Sequence, residues 1–448
     1  MATAPKIRVA IAGGGVGGLI AALTLSKLEK LDVTVYEAAS EFGEIGLSIG
    51  MPWRPWKILQ LLDLQKYLLP MLKPEAIPDM DKTVDTILYR KSDQAVGQDI
   101  FMCTSKVGYV RFRRSHFHGA FLAQLSSRAK AVTSKRLVSY TEANASEPIQ
   151  LHFQDGTTAE CDVLIGADGI KSAVRASMYN ALADKAEKEG RKEDAEKLRY
   201  NVKARFSGVE VYRAVISAEK LRSFSPDHFA LRCPTQFLGK EKHIMSYPIL
   251  SEHSAVSNVG VYHCDYSREG DDYPEPWVAD VTSEHLASFH VGWEPDVQSL
   301  FKVIDPVVSR WAICTVTLPF FNSSRAILLG DAHAMTNFQG AGAGQAIEDA
   351  YILYTILAHP NVNRDNITKA FEVYSEVRVP MSRHVLESSR QTGIDCGLHD
   401  EEAAKDLDSL GKRMQTEMEW QWEWDPLDEK KKAWDLAVKA FGPAEAPA

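Results

Sequence analysis

A short apolar run that stops on three consecutive glycines constrains this chain more than any other feature. Ile7–Ala12 has the length of a strand and leads into Gly13-Gly14-Gly15-Val16-Gly17-Gly18. Leu19, Ala22, Leu23 and Ser26 then recur at helical spacing, and a second apolar run, Val33-Thr34-Val35-Tyr36, ends in Glu37. Strand, tight turn, helix and strand form a βαβ unit, and Gly13, Gly15 and Gly18 supply the G-x-G-x-x-G pattern of a dinucleotide site. Gly13 permits the turn, Gly15 lets a pyrophosphate approach the backbone, and Gly18 lets helix and strand pack closely. The free N–H groups and positive end of the helix attract phosphate. Glu37, closing the second strand, is placed to accept hydrogen bonds from an adenosine ribose. A plain structural turn shares the glycines, but not the two flanking strands and the acid in register.

With 448 residues the chain has material for two or three domains. Its net charge of −9 argues against broad binding to nucleic acid or an anionic membrane. Cys103, Cys161, Cys233, Cys264, Cys314 and Cys396 are scattered without a C-x-x-C pair. They read as reduced thiols of a cytoplasmic protein and argue against zinc. The N-terminus enters its first strand without a signal-peptide pattern, and no apolar stretch is long enough to span a bilayer.

Further along, residues 42–50 form a glycine-rich loop, and Trp56, Leu59 and Leu62 follow at helical spacing. Residues 84–112 alternate as strands do, and Arg113-Arg114 opens a helical stripe of Phe117, Phe121, Leu122 and Leu125. Residues 136–165 read as a β-meander with a hairpin at Asp155-Gly156, ending in an apolar strand and the acidic turn Asp168-Gly169. The charged stretch 184–199 reads as one solvated helix with Glu187–Arg191 and Glu193–Lys197 pairs. From 206 to about 291 the pattern is β-rich, and an apolar strand returns at 325–329 before Gly330-Asp331. A glycine turn (Gly340, Gly342, Gly344) and a helix follow. Trp420, Trp422 and Trp424 are expected to be buried as a cap on the core.

These separated stretches together resemble the class A single-component flavoprotein aromatic monooxygenases, in particular the salicylate hydroxylase-like branch. The resemblance spans nearly the whole chain and is densest at 163–172, at 344–350, at Tyr374, Arg378 and Pro380, and at Trp422-Glu423-Trp424-Asp425. It implies an α/β fold: a Rossmann-like FAD-binding domain (1–205 and 292–360) interrupted by a β-rich substrate domain (206–291), with a C-terminal helical region (361–448). Non-covalent FAD is the implied cofactor and NADH or NADPH a visiting co-substrate, since a single dinucleotide fingerprint is visible. By the same resemblance Glu37 binds the FAD ribose, Gly50 lies near the flavin and Arg114 reaches the pyrophosphate. Asp168 belongs to a turn serving pyrophosphate and nicotinamide, and Asp331 binds the ribityl chain. The turn at Gly342 and Gly344 aims N–H groups at the flavin's pyrimidine edge. Two departures fall near the expected substrate pocket. Asn337 stands where the family has proline, and Met51-Pro52-Trp53-Arg54 replaces Pro-Asn-Ala, adding bulk.

The chemistry so implied is hydroxylation of a small phenolic aromatic by O2 through a C4a-hydroperoxyflavin, with or without loss of a carboxylate. A fixed cation and a phenol donor on the substrate domain suit it. Arg213, beside Tyr212 on a strand over 209–216, and Tyr247, in 243–248, occupy matching segments. Each also has a purely structural reading, an ion pair for Arg213 and a core ring for Tyr247. His243 and His333 read as structural. Two alternatives stay open: a flavin-dependent epoxidase or reductase of an isoprenoid, and a non-catalytic FAD-binding redox sensor.

Overall fold

The computed structural model describes residues 5–43, 48–74, 77–125, 129–250, 255–334 and 338–447. Two large sheets organise them. In the six-stranded sheet the order is 322–323, 326–328, 163–166, 7–12, 31–36 and 130–132. All its pairings are parallel except the one between the first two strands. Its central strands must be apolar on both faces, and the whole of Val163–Gly166 is accordingly buried. Ile7–Ala12 pairs with Val163–Gly166 on one side and with Leu31–Tyr36 on the other. The order reverses there, so a crevice opens beyond the carboxyl ends of the first strand and of 163–166. The helices Val16–Leu25 and Gly342–Leu357 both start at that crevice and pack on one another.

The eight-stranded sheet runs 278–282, 307–315, 205–217, 255–264, 242–250, 235–239, 83–91 and 98–106. The expected 206–291 segment is therefore narrower than this sheet. The Thr83–Lys91 and Gln98–Lys106 hairpin, placed by sequence in the first domain, joins it by pairing parallel to Thr235–Gly239, and Val307–Thr315 joins from the other side. Side chains alternate across the sheet. Tyr212, Phe237, Ile244, Val259 and Val261 face a core closed by Leu221, Val297 and Leu300 from two helices. Burying each such aliphatic side chain contributes about 1.5–3 kcal/mol. Arg213, Gln236, His243, Met245, Tyr247 and Tyr262 line a cavity on the opposite face. Tyr212 thus turns away from its neighbour Arg213, and its hydroxyl donates to Glu210 at 3.0 Å.

Helices Ile367–Cys396, Leu407–Met418 and Pro426–Phe441 make up the C-terminal region. Trp420 and Trp422 are buried as expected, but Trp424 is 46% exposed. Its ring stacks on His384 at 4.4 Å at the surface. The charged stretch is two helices, Ala173–Lys188 and Lys192–Tyr200, because Gly190 turns the chain at φ 80°. Lys197–Glu193 pairs at 2.7 Å as read, whereas Arg191 turns to Glu189 and Asp194 in place of Glu187. Met335, Thr336 and Asn337, the first of the two departures near the pocket, lie outside the described residues. The second departure does not add bulk to the pocket. Arg54 is buried and pairs with Glu348 at 2.7 Å and with Glu429 at 2.6 Å, while Trp53 lies under Lys57.

A chain ended after Met178 retains Val163–Gly166 but loses its neighbour 326–328, and leaves 83–91 without 235–239. Such a fragment is expected to unfold in urea without a cooperative transition. A sigmoidal transition as sharp as that of the full chain would contradict this topology.

Candidate functional site

The crevice at the sheet's reversal continues into the cavity under the eight-stranded sheet, giving one space of about 1150 Å³. At its first end the glycine turn is pressed against the neighbouring strand's exit. A Cβ on Gly13, whose φ is 100°, would lie 2.3 Å from the Ala167 carbonyl oxygen. A Cβ on Gly18 would lie 2.0 Å from the Gly13 carbonyl oxygen, so Gly18 serves the packing of helix on strand and stays out of the cavity wall. Gly13, Gly15, Val16 and Gly17 form that wall. Glu37 also lines it, with one carboxylate oxygen accepting the Gly14 N–H at 2.7 Å and the other the Ala39 N–H at 2.8 Å. The acid therefore tethers the turn while facing the cavity.

Two helix N-termini open onto this space, and among the described residues no side chain caps Val16–Leu25 or Gly342–Leu357. The helix Ala173–Lys188 beside them is capped twice. Asp168 accepts the Ala173 and Val174 N–H groups at 2.7 and 3.1 Å, and Ser172 accepts that of Arg175. Burial raises the Asp168 pKa, against the pull of these donors. The backbone of its turn lines the cavity, but its carboxylate is engaged with the helix. Uncapped N–H groups on two converging helices, a glycine cradle with no room for a Cβ and the lining side chain Arg114 fit a phosphate-bearing cofactor.

Farther along, Gly50, Asp331, Gly342 and Ala343 line the cavity. Gly344 does not: it packs on Pro55, whose Cγ would lie 3.2 Å from an added Cβ. The Gly330-Asp331 turn is held from behind by Asp349, which accepts the Gly330 N–H at 2.8 Å and approaches His333 Nε2 to 2.7 Å. The other Asp349 oxygen accepts Arg378 Nε at 2.7 Å. Burial opposes ionisation of Asp349, but His333 and Arg378 more than offset it and hold its pKa well below the carboxylate range. His333 stacks on Phe321 at 3.8 Å, the structural part read from sequence.

The far end is aromatic and basic. Tyr247, Met245 and His243 alternate along Lys242–Leu250 and face the cavity with Tyr262, Phe338 and Gln339. Arg213 is exposed to this space and lies over the Trp311 ring at 4.6 Å. Its strand neighbour Gly260, opposite in register and paired also with Met245, lies under the Tyr262 ring, whose Cε2 would be 3.1 Å from an added Cβ. His243, read as structural, is a wall residue that sequence reasoning missed. It stacks on its cross-strand neighbour Tyr262 at 4.5 Å, and neither ring nitrogen has a hydrogen-bond partner among the described residues. Gln339 is fixed by Ser388, Thr392 and Trp420, whose indole N–H donates to its oxygen at 3.1 Å.

Burial, reinforced by His399 and His263, lowers the His243 pKa from 6.5 to about 3, so the ring is neutral near pH 7. An unfolded chain therefore takes up this proton first. The contribution to stability is complete above about pH 6.5 and is lost as pH falls toward 3, by about 1.4 kcal/mol per pH unit. His243→Phe should flatten the fall in unfolding free energy between about pH 6 and 4 by that amount in urea titrations. An unchanged slope would contradict a buried neutral imidazole.

A family model described as an FAD binding domain matches residues 123–389, more than half of the chain. FAD-dependent monooxygenase str9 of Strobilurus tenacellus is 61% identical, covering 97% of this chain and 99% of that protein. A salicylate hydroxylase of Pseudomonas putida is 30% identical over 92% of each chain. A solved salicylate hydroxylase substrate complex superposes with a TM-score of 0.79 at 25% identity, covering 96% of this chain and 98% of that one. Glycine cradle, uncapped helix ends and sequence kinship converge, and the chain belongs to the class A FAD-dependent monooxygenases of the salicylate hydroxylase-like branch.

Proposed function

We propose that this flavoprotein monooxygenase uses NAD(P)H and O2 to oxygenate a phenolic aromatic that carries an acidic or acyl group. The observation that carries this reading is the continuity of the cavity. One space joins the glycine cradle to a wall bearing Arg213, Tyr247 and neutral His243. Bound FAD supplies reduction by the nicotinamide and activation of O2. Gly13, Gly15, Glu37, Arg114, Asp331 and the Gly342 helix end hold the cofactor in this reading, with Gly18 and Gly344 supporting it through packing. Salicylate, which names the Pseudomonas relative, is a substrate of this chemical type.

The chain's own residues have three tasks at the far end. The Arg213 guanidinium favours the phenolate over the phenol, which makes the ring a better nucleophile. Tyr247 donates a hydrogen bond to the same oxygen. Phe338, seated against Gly393 where a Cβ would lie 2.3 Å from the ring, closes the aromatic side and keeps water from the reacting face. The isoprenoid alternative gains nothing from this wall of guanidinium and phenol groups. A redox sensor without turnover is set aside because the chain is a monooxygenase.

Because Arg213 is exposed to the open cavity, its removal costs less than that of a fully buried charge. A hydrogen bond to a charged group is worth about 1.5–3 kcal/mol, about tenfold to a hundredfold in rate or affinity. Arg213→Ala should lose product yield by that factor on a phenolic acid, and Tyr247→Phe by less, with FAD retained in both. Hydrogen peroxide per NAD(P)H consumed should rise. Wild-type yield and coupling in Arg213→Ala would refute this assignment.

A further inference from the structure

Arg111 is a second cation in the far wall of the cavity, and sequence reading passed over it. It lies on Val110–Arg113, whose Val110 and Phe112 are buried while Arg111 projects to the other side. That strand pairs with Ser48–Met51, and Arg111 stands directly opposite Gly50. The guanidinium lies over the Tyr247 ring at 5.7 Å, with Tyr109 in the same wall.

Among the described residues the four buried guanidinium groups are matched. Arg54 and Arg378 share Glu348 and Glu429, and Arg325 pairs with Glu142. Arg175 donates to the carbonyls of Ala332 and Ile170. Among the described residues Arg111 has no carboxylate and no carbonyl acceptor. Solvent in the open cavity reaches the side chain, yet protein surrounds it closely enough for burial to lower its pKa, with Tyr247 and Tyr109 opposing that shift. A guanidinium held in such a wall without a counter-charge is a site prepared for an anion, since it pairs when the cavity fills.

Resting on the phenolic-acid reading above, we infer that Arg111 binds the carboxylate of the substrate, at a point separate from the oxygen held by Arg213. The two cations act on different rings. Arg213 bears on Tyr262 and Trp311, whereas Arg111 bears on Tyr247 and Tyr109. The Tyr247 ring lies under Arg111, on a strand paired with that of Tyr262. A rigid aromatic acid spanning the two would be fixed in orientation as well as in place, so Arg111 is a specificity-determining residue.

Perturbation of flavin absorbance in the FAD-loaded protein reads binding without turnover. Salicylate, 4-hydroxybenzoate and 4-hydroxyphenylacetate are titrated beside their methyl esters. The wild-type protein should bind one or more of these acids more tightly than its ester, and Arg111→Met should remove that preference by losing about tenfold to a hundredfold affinity for the acid alone. Arg213→Ala should weaken acid and ester alike and keep the preference. The inference is overturned if Arg111→Met keeps the acid-over-ester preference, or if the wild-type protein has none. A lowered flavin midpoint potential in ligand-free Arg111→Met, with the preference intact, also overturns it and assigns the charge to the flavin. If none of these phenols, acid or ester, perturbs the flavin, the substrate reading itself fails and Arg111 loses its proposed ligand.

Discussion

Asp349, a carboxylate with no exposure to solvent, ties together the parts that make the cavity. It sits on the Gly342–Leu357 helix, whose N-terminus opens onto the cavity, and reaches back to the Gly330 N–H and His333. Arg378, from the Ile367–Cys396 helix, bridges it to Glu348 and to Glu429 of the last helix. Arg54 closes the cluster by joining Glu348 to Glu429 from the Trp53–Leu61 helix. Removing one partner of a buried pair commonly costs about 3–5 kcal/mol, a large share of the 5–15 kcal/mol that holds a domain folded. The position of Asp331 in the wall thus depends on contacts from four helices, and the C-terminal region is part of the site's support.

Around that support the cavity divides the chemistry by charge and polarity. Its first end offers N–H groups and glycine surface, which suit phosphates and a ribose. Its far end offers stacked rings, a neutral imidazole and two cations, which suit an anionic aromatic. Neutral His243 fits such a place because a charged imidazole would lose its solvation there. Arg213, His243, Tyr247 and Tyr262 come from strands of one sheet whose other face is a packed core, so their spacing is as rigid as that sheet.

The first end was legible in the sequence because its contacts are local: a strand, a glycine turn and an acid at fixed spacing describe one βαβ unit. Asp331 and the Gly342 turn were legible for the same reason, each following an apolar strand or opening a helix. Arg111 and His243 were not. Strand alternation shows that Arg111 and Phe112 face opposite ways, but which side is cavity depends on what covers the sheet. The membership of 83–106 was hidden as well, since its parallel partner 235–239 lies far off in sequence and leaves no local mark. Arg54 looked like added bulk because its partners, Glu348 and Glu429, come from distant helices. Asp168 lies at the crevice, yet its carboxylate caps a helix end that the Ser172 hydroxyl also caps, so the local sequence did not mark the acid as a cap.

In the proposed reaction one oxygen atom of O2 enters the ring of a phenolic acid held at the far end of the cavity. A single turnover under ¹⁸O2 tests it most directly: FAD-loaded protein is reduced anaerobically with NAD(P)H, mixed with a phenolic acid that perturbs its flavin, and exposed to the labelled gas. The account predicts a product carrying one ¹⁸O atom on the ring, with its mass also reporting whether the carboxylate is kept. Label found only in hydrogen peroxide or water, with the phenolic acid recovered unchanged, would contradict it.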